Sequence, residues 1–371
     1  MKFSCNQQNL LKLFNIVSKA VTSRTTIPIL KGVLLKVNND GLLTMAASDL
    51  DLSIEKSIKV NDFEEGEIVV QAKLFGDIIR KLPSSEIAIE TIDSNVLIRC
   101  SNSEFNIIGF KADEFPNINL NIETSEKITF DKDILKQMIQ KTSFAASIDE
   151  SRGVITGILI EIKESFLNMV ALDGFRMAVV REKINNPKEQ NIIIPAKNLN
   201  EISKIISETE SEENDVVLYI NDKRALFIID ETKVVLRILE GEFVEYTNIL
   251  PKEGKCRVVL NRQDLLGSIE RASLLAKVGK NNLIKLIISS NNLEITSKSE
   301  EGNVKEDVII SKEGEDLTIG FNSKYLIDAL KVIDDENIIL LFNTGVSPCL
   351  IKPIEGNNYE YLILPVRITN N

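Results

Sequence analysis

The chain of 371 residues contains one structural unit three times in a row. The clearest trace of it is a set of three similar segments, EIVVQAKLFGDIIRKL (67–82), NIIIPAKNLNEISKII (191–206) and DLTIGFNSKYLIDALKVI (316–333). Each reads as an apolar strand, then a small or polar residue that can cap a helix, then a helix with apolar residues three and four positions apart. When Lys73, Lys197 and Lys324 are aligned, the copies lie 124 and 127 residues apart. One third of the chain is about 124 residues, so the repeat accounts for its whole length.

A second set of helical segments, at 9–21, 133–146 and 264–278, occurs in the same order. Short alternating strands lie between the two helices of each copy and are separated by turn residues such as Asp173-Gly174, and more strands follow the second helix. We therefore predict an α+β fold of three tandem similar domains, each with two helices and roughly eight strands in antiparallel sheets. The predicted domains span 1–122, 123–250 and 251–371. No Gly/Ser-rich or Pro-rich linker separates them, which indicates closely joined domains.

The composition excludes several classes of site. The chain has no histidine, so Ser-His triads, Cys-His dyads and zinc sites that need His ligands cannot form. The four cysteines, Cys5, Cys100, Cys256 and Cys349, form no CxxC pair and are expected to be small buried apolar residues. Neither a GxxxxGK[ST] loop nor a GxGxxG fingerprint occurs, so the sequence predicts no nucleotide cofactor.

Carboxylates could still form a catalytic site, because they can bind a metal ion. Asp49 and Asp51 in SDLDLSIE and Asp173 in ALDGFRMAV could hold a metal ion, as in a metal-dependent nuclease. However, Asp49 and Asp173 occupy corresponding places in the first two copies, next to strand turns. The third copy, with TSKSEEGN, does not keep the pattern. A turn between two strands therefore explains these residues better than a metal site does.

Nothing in the sequence predicts a membrane protein. The opening residues turn polar after five positions, and no apolar run reaches the ~18–20 residues that cross a bilayer. We therefore expect a cytoplasmic protein.

The charge is unevenly distributed, although the net charge is −11. The six predicted helices, at 6–21, 72–82, 131–146, 196–207, 262–280 and 323–333, carry sixteen Lys and Arg against seven Asp and Glu. One explanation is that Lys and Arg are good helix formers whereas acids prefer turns and caps. The other is that six equivalent helices face one polyanion. Aromatic residues make up 5% and Trp is absent, so contact with a duplex backbone fits better than base stacking.

A resemblance to a known family rests on the opening MKFSCNQQNLLKLFNIVSKAVTSRTTIPIL, the segment VALDGFRMAVV and the ending YLILPVRI. These segments, with the threefold repeat, resemble the bacterial DNA polymerase III beta subunits, the sliding clamps, over the whole chain. The resemblance implies a homodimer closed head to tail into a ring of six domains, with helices lining the hole and an acidic outer surface. It implies a non-enzymatic protein without a cofactor. Its expected partners are double-stranded DNA, a second copy, the replicative polymerase, the clamp loader and other proteins with a clamp-binding motif.

The resemblance also nominates site residues. A pocket for short apolar peptides, between the second and third domains, would have Ile155, Leu172, Gly174, Phe175, Arg176 and Met177 on one side. The other side would be Val244, Ile249, Val346, Leu362, Leu364, Pro365, Val366 and Arg367. The expected DNA contacts are Arg24, Lys12, Arg80, Lys136, Lys141, Lys197, Arg271 and Lys277. At the dimer interface, Phe105 and Ile107 should meet Leu274 and Leu275. Many of these would also serve as ordinary core or junction residues.

Three positions depart from the family's pattern. Phe175 stands where the family often has His, Leu172 where a small polar residue is usual, and Val244 where Pro is usual. These changes predict a more apolar pocket. The tail Thr369-Asn370-Asn371 extends past the usual end and could shift the pocket rim.

Two other functions stay open on the sequence. One is a tandem α+β scaffold that binds peptides but encircles nothing, and the other is the carboxylate-metal nuclease.

Overall fold

The structure, a computed structural model, describes residues 1–118, 127–184, 189–209, 213–221, 223–251, 253–279 and 281–368. The predicted role of Thr369–Asn371 therefore falls outside the described residues. Within the described ranges there are six α-helices: α1 Gln7–Val17, α2 Ala72–Lys81, α3 Lys132–Ser143, α4 Ala196–Glu208, α5 Arg262–Ala276 and α6 Ser323–Lys331. They lie where the repeat predicts them. None of the helices in this part of the chain is long and apolar enough to cross a membrane.

The strands of the first repeat are β1 Lys2–Asn6, β2 Gly32–Val37, β3 Leu42–Ser48, β4 Leu52–Lys59, β5 Asn61–Glu64, β6 Gly66–Gln71, β7 Glu86–Ile92, β8 Asn95–Cys100 and β9 Ser103–Ile108. Those of the second are β10 Lys127–Asp131, β11 Gly157–Lys163, β12 Phe166–Leu172, β13 Arg176–Lys183, β14 Gln190–Pro195, β15 Asp215–Ile220, β16 Arg224–Ile229 and β17 Thr232–Arg237. Those of the third are β18 Cys256–Asn261, β19 Leu283–Ser289, β20 Asn292–Ser299, β21 Gly302–Ile309, β22 Ser311–Gly314, β23 Leu317–Asn322, β24 Asn337–Phe342, β25 Cys349–Pro353 and β26 Tyr359–Ile363. Short 3-10 turns occupy Ser18–Ala20, Pro28–Lys31, Ala112–Glu114, Glu150–Thr156 and Tyr246–Asn248.

The chain forms two compact units, each built on two antiparallel sheets. The first unit comprises Met1–Asp133 and Glu201–Ile238. Its sheets have the strand orders β5-β1-β7-β8-β9 and β10-β15-β16-β17-β4-β3-β2-β6. The second unit comprises Ile134–Asn200 and Leu239–Asn371, with the orders β14-β11-β12-β13-β26-β25-β24-β18-β22 and β21-β20-β19-β23. Each compact unit contains two whole sheets and combines strands from two repeats. The units therefore do not coincide with the three repeats, and the three domain boundaries remain a prediction.

The sheets join neighbouring repeats. In the first unit β4 of the first repeat pairs with β17 of the second, and in the second unit β13 of the second repeat pairs with β26 of the third. Both pairings are antiparallel and place side chains of two repeats on a common sheet face.

Four of the six helices begin at a side-chain cap that the sequence provides. The side-chain oxygens of Asn6, Asp131, Asn261 and Asn322 each accept a hydrogen bond from the backbone N–H two residues further on. In the first repeat the two helices pack closely, and the rings of Phe14 and Phe75 meet edge to face with centroids 5.9 Å apart. Gly76 permits this approach, because a Cβ there would lie 2.4 Å from Phe14 Cε1. The buried apolar sides of these helices leave their polar sides available for a partner.

Candidate binding surfaces

A row of five apolar residues crosses the nine-stranded sheet. Leu172, Met177, Leu362, Leu350 and Leu341 lie directly opposite one another on β12, β13, β26, β25 and β24. All five are buried in one hydrophobic cluster, which Ile155 also contacts. The structure therefore brings Leu172 and Met177 of the second repeat together with Leu362 of the third, as the pocket prediction requires. A row of this kind can form the floor of an apolar site.

The segment that follows β17, the last strand of the second repeat, packs against the same cluster. Phe243, Tyr246 and Leu250 pack onto the cluster. The Tyr246 hydroxyl donates a hydrogen bond of 2.6 Å to the Glu161 carboxylate, which also accepts from the Asn168 amide at 2.9 Å. Burial and the hydrogen bond to Glu161 raise the pKa of Tyr246 well above its usual value, so the hydroxyl remains a donor. No pattern in the sequence predicted this hydrogen bond between Tyr246 and Glu161.

Exposed apolar side chains occur in the chain segments that adjoin the residues of this cluster. Phe175, Val346, Ile249, Val244 and Leu364 are all exposed, with Phe175 at 55% and Val346 at 77%. Exposed apolar groups beside an apolar cluster are typical of a protein-binding site. The ring of Phe175 stacks on Tyr325, with centroids 6.2 Å apart.

The C-terminal segment is held beside this rim by its backbone. The Leu364 N–H donates to the Phe175 carbonyl at 2.9 Å, and the Val366 N–H donates to the Gly320 carbonyl at 2.8 Å. Pro365 lies between these two residues in the chain and is half-buried, whereas Arg367 is exposed.

The turn between β12 and β13 sets the position of Phe175. One carboxylate oxygen of Asp173 accepts from the N–H groups of Phe175 and Arg176, and Gly174 has a φ of +87°. A Cβ at position 174 would also lie 3.0 Å from Arg152 Nη2. Glycine is therefore favoured here by the backbone conformation, and a larger residue would also require the Arg152 side chain to shift.

Arg176, a predicted pocket residue, makes several contacts within the protein. Only 10% of its side chain is exposed, and its Nε and Nη1 atoms both pair with carboxylates. It pairs with Asp173 at 3.0 Å and with Asp328 of α6 at 2.6 Å. Its guanidinium also lies 4.7 Å from the ring centroid of Tyr325. Arg176 therefore fixes the turn against α6, and Arg367 is the exposed arginine of the predicted pocket.

Asp49 and Asp173 occupy the same kind of turn. The Asp49 carboxylate accepts from the N–H groups of Asp51 and Leu52, as Asp173 does from the corresponding residues of the second repeat. Both carboxylates thus serve as turn acceptors, as the sequence favoured. Among the residues that the structure describes, no group of three or more acidic or Cys side chains could hold a metal ion.

All eight predicted DNA contacts are exposed or half-buried. Arg24 lies between the turns Ser18–Ala20 and Pro28–Lys31, and within the described ranges its guanidinium has no ion pair. Four of the eight pair with an acid: Arg80 with Asp77 at 3.1 Å, Lys141 with Asp334 at 2.8 Å, Lys197 with Glu150 at 3.4 Å and Arg271 with Glu306 at 2.6 Å.

The α-helices keep the positive excess that the sequence predicted. Within their observed bounds they carry thirteen Lys and Arg against seven Asp and Glu. One cation is unavailable to a partner, because Lys132 is buried and pairs with Asp230 at 3.0 Å. Exposed cations on helices can bind phosphates without reading sequence.

The predicted dimer residues lie at two open sheet edges. Phe105 and Ile107 belong to β9, an edge of the five-stranded sheet. Leu274 and Leu275 belong to α5, which packs against β21, an edge of the four-stranded sheet. Phe105 and Leu274 are 39% and 66% exposed. Each predicted pair thus presents apolar surface next to an unpaired strand.

Comparisons with known proteins cover the whole chain. Sequence profiles of the DNA polymerase III beta subunit match residues 1–119 as its N-terminal domain, 129–245 as its central domain and 247–367 as its C-terminal domain. The beta sliding clamp of Bacillus subtilis is 36% identical over 381 residues, which cover 99% of this chain and 100% of that protein. The beta sliding clamp of Halalkalibacterium halodurans is 37% identical, with the same coverage.

Solved structures give the same result. A putative DNA polymerase III beta subunit from Eubacterium rectale is 40% identical and matches with a TM-score of 0.93, covering 99% of each chain. The DNA polymerase sliding clamp of Bacillus subtilis is 36% identical and matches with a TM-score of 0.93 over 100% of each chain.

Proposed function

The chain belongs to the family of bacterial DNA polymerase III beta subunits, the DNA sliding clamps, and we propose that its α-helices contact duplex DNA inside a ring of two chains. The family match over the full length carries this conclusion. The excess of cations on the six helices supports the proposed DNA contact. Backbone contacts through Lys and Arg do not depend on base sequence, so a ring held by them can slide.

The open sheet edges support a closed dimer. The edge strands β9 and β21 have free backbone groups on one side in the single chain. Exposed edge strands are sites for pairing with another chain. If β9 of one chain pairs with β21 of a second, and the second with the first, two equivalent contacts close the assembly and cover these edges.

We propose that the apolar site on the nine-stranded sheet receives a short linear motif. Leu172, Met177 and Leu362 form its floor and Phe175 its exposed rim. A small apolar site with an aromatic side chain at its rim suits one or two Leu or Phe residues of a peptide. The proposed owners of such motifs are the replicative polymerase, the clamp loader and other DNA-processing proteins.

The protein would act by topology rather than catalysis, as a processivity factor in DNA replication in the cytoplasm. A ring that encloses DNA needs no tight contact to remain bound, so weak phosphate contacts suffice. This distinguishes it from a peptide-binding scaffold that does not encircle DNA.

Retention on circular DNA tests the proposal. The protein, loaded with its clamp loader and ATP onto nicked circular DNA, should stay bound through gel filtration in high salt. It should escape once a restriction enzyme linearises that DNA. Equal retention on linear DNA with unblocked ends would contradict the topological mechanism.

A further inference from the structure

We propose that the apolar site on the nine-stranded sheet continues into a cationic groove, formed around Lys255, Arg257 and Lys352, that binds an acidic side chain of the same peptide. The inference rests on the proposed peptide site and specifies the charge of the peptide that this site prefers. It follows from the row of five apolar residues across the sheet, which leads directly to the groove.

The row continues beyond Leu341 as charged residues. On the next strand, β18, Arg257 lies directly opposite Leu341, and on the edge strand β22 Glu313 lies opposite Arg257. Directly opposite side chains of an antiparallel sheet point to the same face, so Arg257 shares the face of the five apolar residues, one strand beyond them. A peptide that crosses the sheet along this row would pass from apolar contacts to a charged group.

A groove of about 510 Å³ lies at this end of the row, and both Leu341 and Ile339 line it together with the three cations. Leu341 and Ile339 also belong to the hydrophobic cluster of the peptide site, so the groove and the site share part of their apolar lining. Lys352 is half-buried and lies directly opposite Ile339. Its stem can therefore cover apolar surface while its ammonium group faces water.

The cations of the groove are available to a ligand. Within the described ranges Lys255 and Lys352 have no ion pair. Arg257 pairs with Glu313 at 3.4 Å, but the Glu313 side chain is 73% exposed and a guanidinium has five N–H donors, so Arg257 can bind a second carboxylate. Glu253 is the other acid of the lining, and the groove keeps a net positive charge.

The first unit contains an equivalent row that lacks the apolar beginning. On β3, β4, β17, β16, β15 and β10 its residues lie opposite one another in the order Ser48, Ser53, Val235, Leu226, Tyr219 and Lys127. Serines occupy the first two positions, where the second unit has Leu and Met, and their hydroxyls share a hydrogen bond of 2.8 Å. Lys127 corresponds to Arg257, because each lies four residues before the side chain that caps the following helix. Of these two rows, the one in the second unit combines an apolar floor with a cation.

The spacing of the strands predicts where the acidic residue must stand in the peptide. Neighbouring strands lie about 4.8 Å apart, so Arg257 is about 14 Å from Leu362, three strands away. An extended peptide advances about 3.3 Å per residue. An acidic residue about four positions from the apolar residue that sits on Leu362 would therefore reach the cations.

Peptide binding tests the proposal. The probes are three fluorescein-labelled peptides with a central Leu-Phe pair in a background of Ser and Ala. One carries two Asp residues about four positions before the pair, one carries them about four positions after it, and one carries none. In fluorescence anisotropy, one of the acidic peptides should bind about threefold to fivefold more tightly than the neutral peptide, and high salt should remove this gain. The net charge of −11 repels acidic peptides in general, so a gain requires local cations.

Substitutions in the groove identify the source of the gain. Arg257→Gln and Lys352→Gln should each reduce the preference for the acidic peptide. The neutral peptide has no partner for these cations, so its affinity checks that the site is still folded. Lys127→Gln, the matched control in the first unit, should keep the full preference. Equal binding of the three peptides, a preference that persists in both groove variants, or an equal loss in the control would overturn the proposal.

Phe175→Ala separates the groove from the peptide site itself. It should weaken binding of all three peptides, because they share the Leu-Phe pair. If it does so while the peptides show no charge preference, the groove is overturned and the peptide site stands. If no peptide binds, or if Phe175→Ala changes no affinity, the peptide site is overturned and the groove with it.

Discussion

At the scale of single residues, the repeat shows how one turn tolerates different side chains. Leu50 stands at the position that Gly174 occupies in the second repeat, and both have positive φ, 78° and 87°. A leucine in this conformation is strained by roughly 1–2 kcal/mol. Leu50 is also 57% exposed, so little packing offsets the strain.

We expect Leu50→Gly to raise the midpoint of thermal unfolding by about one degree, equivalent to about 0.5–1 kcal/mol. The matched control is Leu74→Gly, which changes another exposed leucine, in α2. It should lower the midpoint, because glycine costs about 1 kcal/mol in a helix interior. A decrease in both variants would show that Leu50 makes a stabilising contact.

Phe175 gives a prediction for the pocket. Phe175→Ala should weaken binding of a short apolar clamp-binding peptide about tenfold, because an aromatic side chain at the rim of a small site contributes about 1–2 kcal/mol. Fluorescence anisotropy with a labelled peptide measures this. Phe166→Ala, at the far end of β12 and also exposed, should leave the affinity unchanged. Equal affinity for all three proteins would place the pocket elsewhere.

The cysteines are buried, as the sequence predicted. Burial raises the pKa of the Cys5 thiol to about 12 and also raises those of Cys256 and Cys349. A raised pKa keeps the thiol protonated and unreactive at pH 8. Titration with a thiol reagent at pH 8 should therefore detect almost no groups in the native protein and four after denaturation. Rapid reaction of a native thiol would contradict this burial.

At the scale of elements, the sequence predicts the helices and hairpins, because these depend on the pattern of neighbouring residues. The apolar spacing located all six helices, and the turn residues around Asp49 and Asp173 identified the hairpins. The partner of Arg176 could not be predicted, since Asp328 is 152 residues away along the chain. The family pattern therefore placed Arg176 in the pocket without indicating its pairs with Asp173 and Asp328. The only sequence signal was the acid that recurs as Asp77, Glu201 and Asp328 in the second helix of each repeat.

The acid that recurs in the second helix of each repeat allows the energy of its ion pair to be compared between α6, with Asp328, and α2, with Asp77. Asp328→Asn should lower the free energy of unfolding by about 1–2 kcal/mol, because it removes one of two carboxylates from the largely buried Arg176. Asp77→Asn at the equivalent position should cost less than about 0.5 kcal/mol, since its pair with Arg80 is exposed. Urea unfolding of both variants measures the difference. Equal losses would show that Arg176 does not depend on Asp328.

At the scale of the whole molecule, the net charge of −11 is the sum of basic helices and an acidic remainder. Overall acidity is therefore compatible with DNA contact. The sequence located this asymmetry but could not show which cations are occupied by acids such as Glu150, Asp334 and Glu306, because those pairs depend on tertiary structure.

Arg24→Glu should weaken direct binding to duplex DNA and lower the salt dependence of that binding by about one unit of log–log slope, and the loaded ring should still be retained on nicked circular DNA. Arg224→Glu makes the same change at an exposed position on β16 and should have no effect. An equal loss from both substitutions would indicate a general effect of charge rather than a contact by Arg24.

The central claim is that two chains close a ring through two equivalent contacts. Sedimentation equilibrium of the full chain at micromolar concentration, without DNA, tests it most directly. We expect a single species with twice the mass of the chain and no larger assemblies, because the second contact covers the remaining β9 and β21 edges. A mass of one chain at every concentration, or an open-ended series of larger species, would contradict the ring.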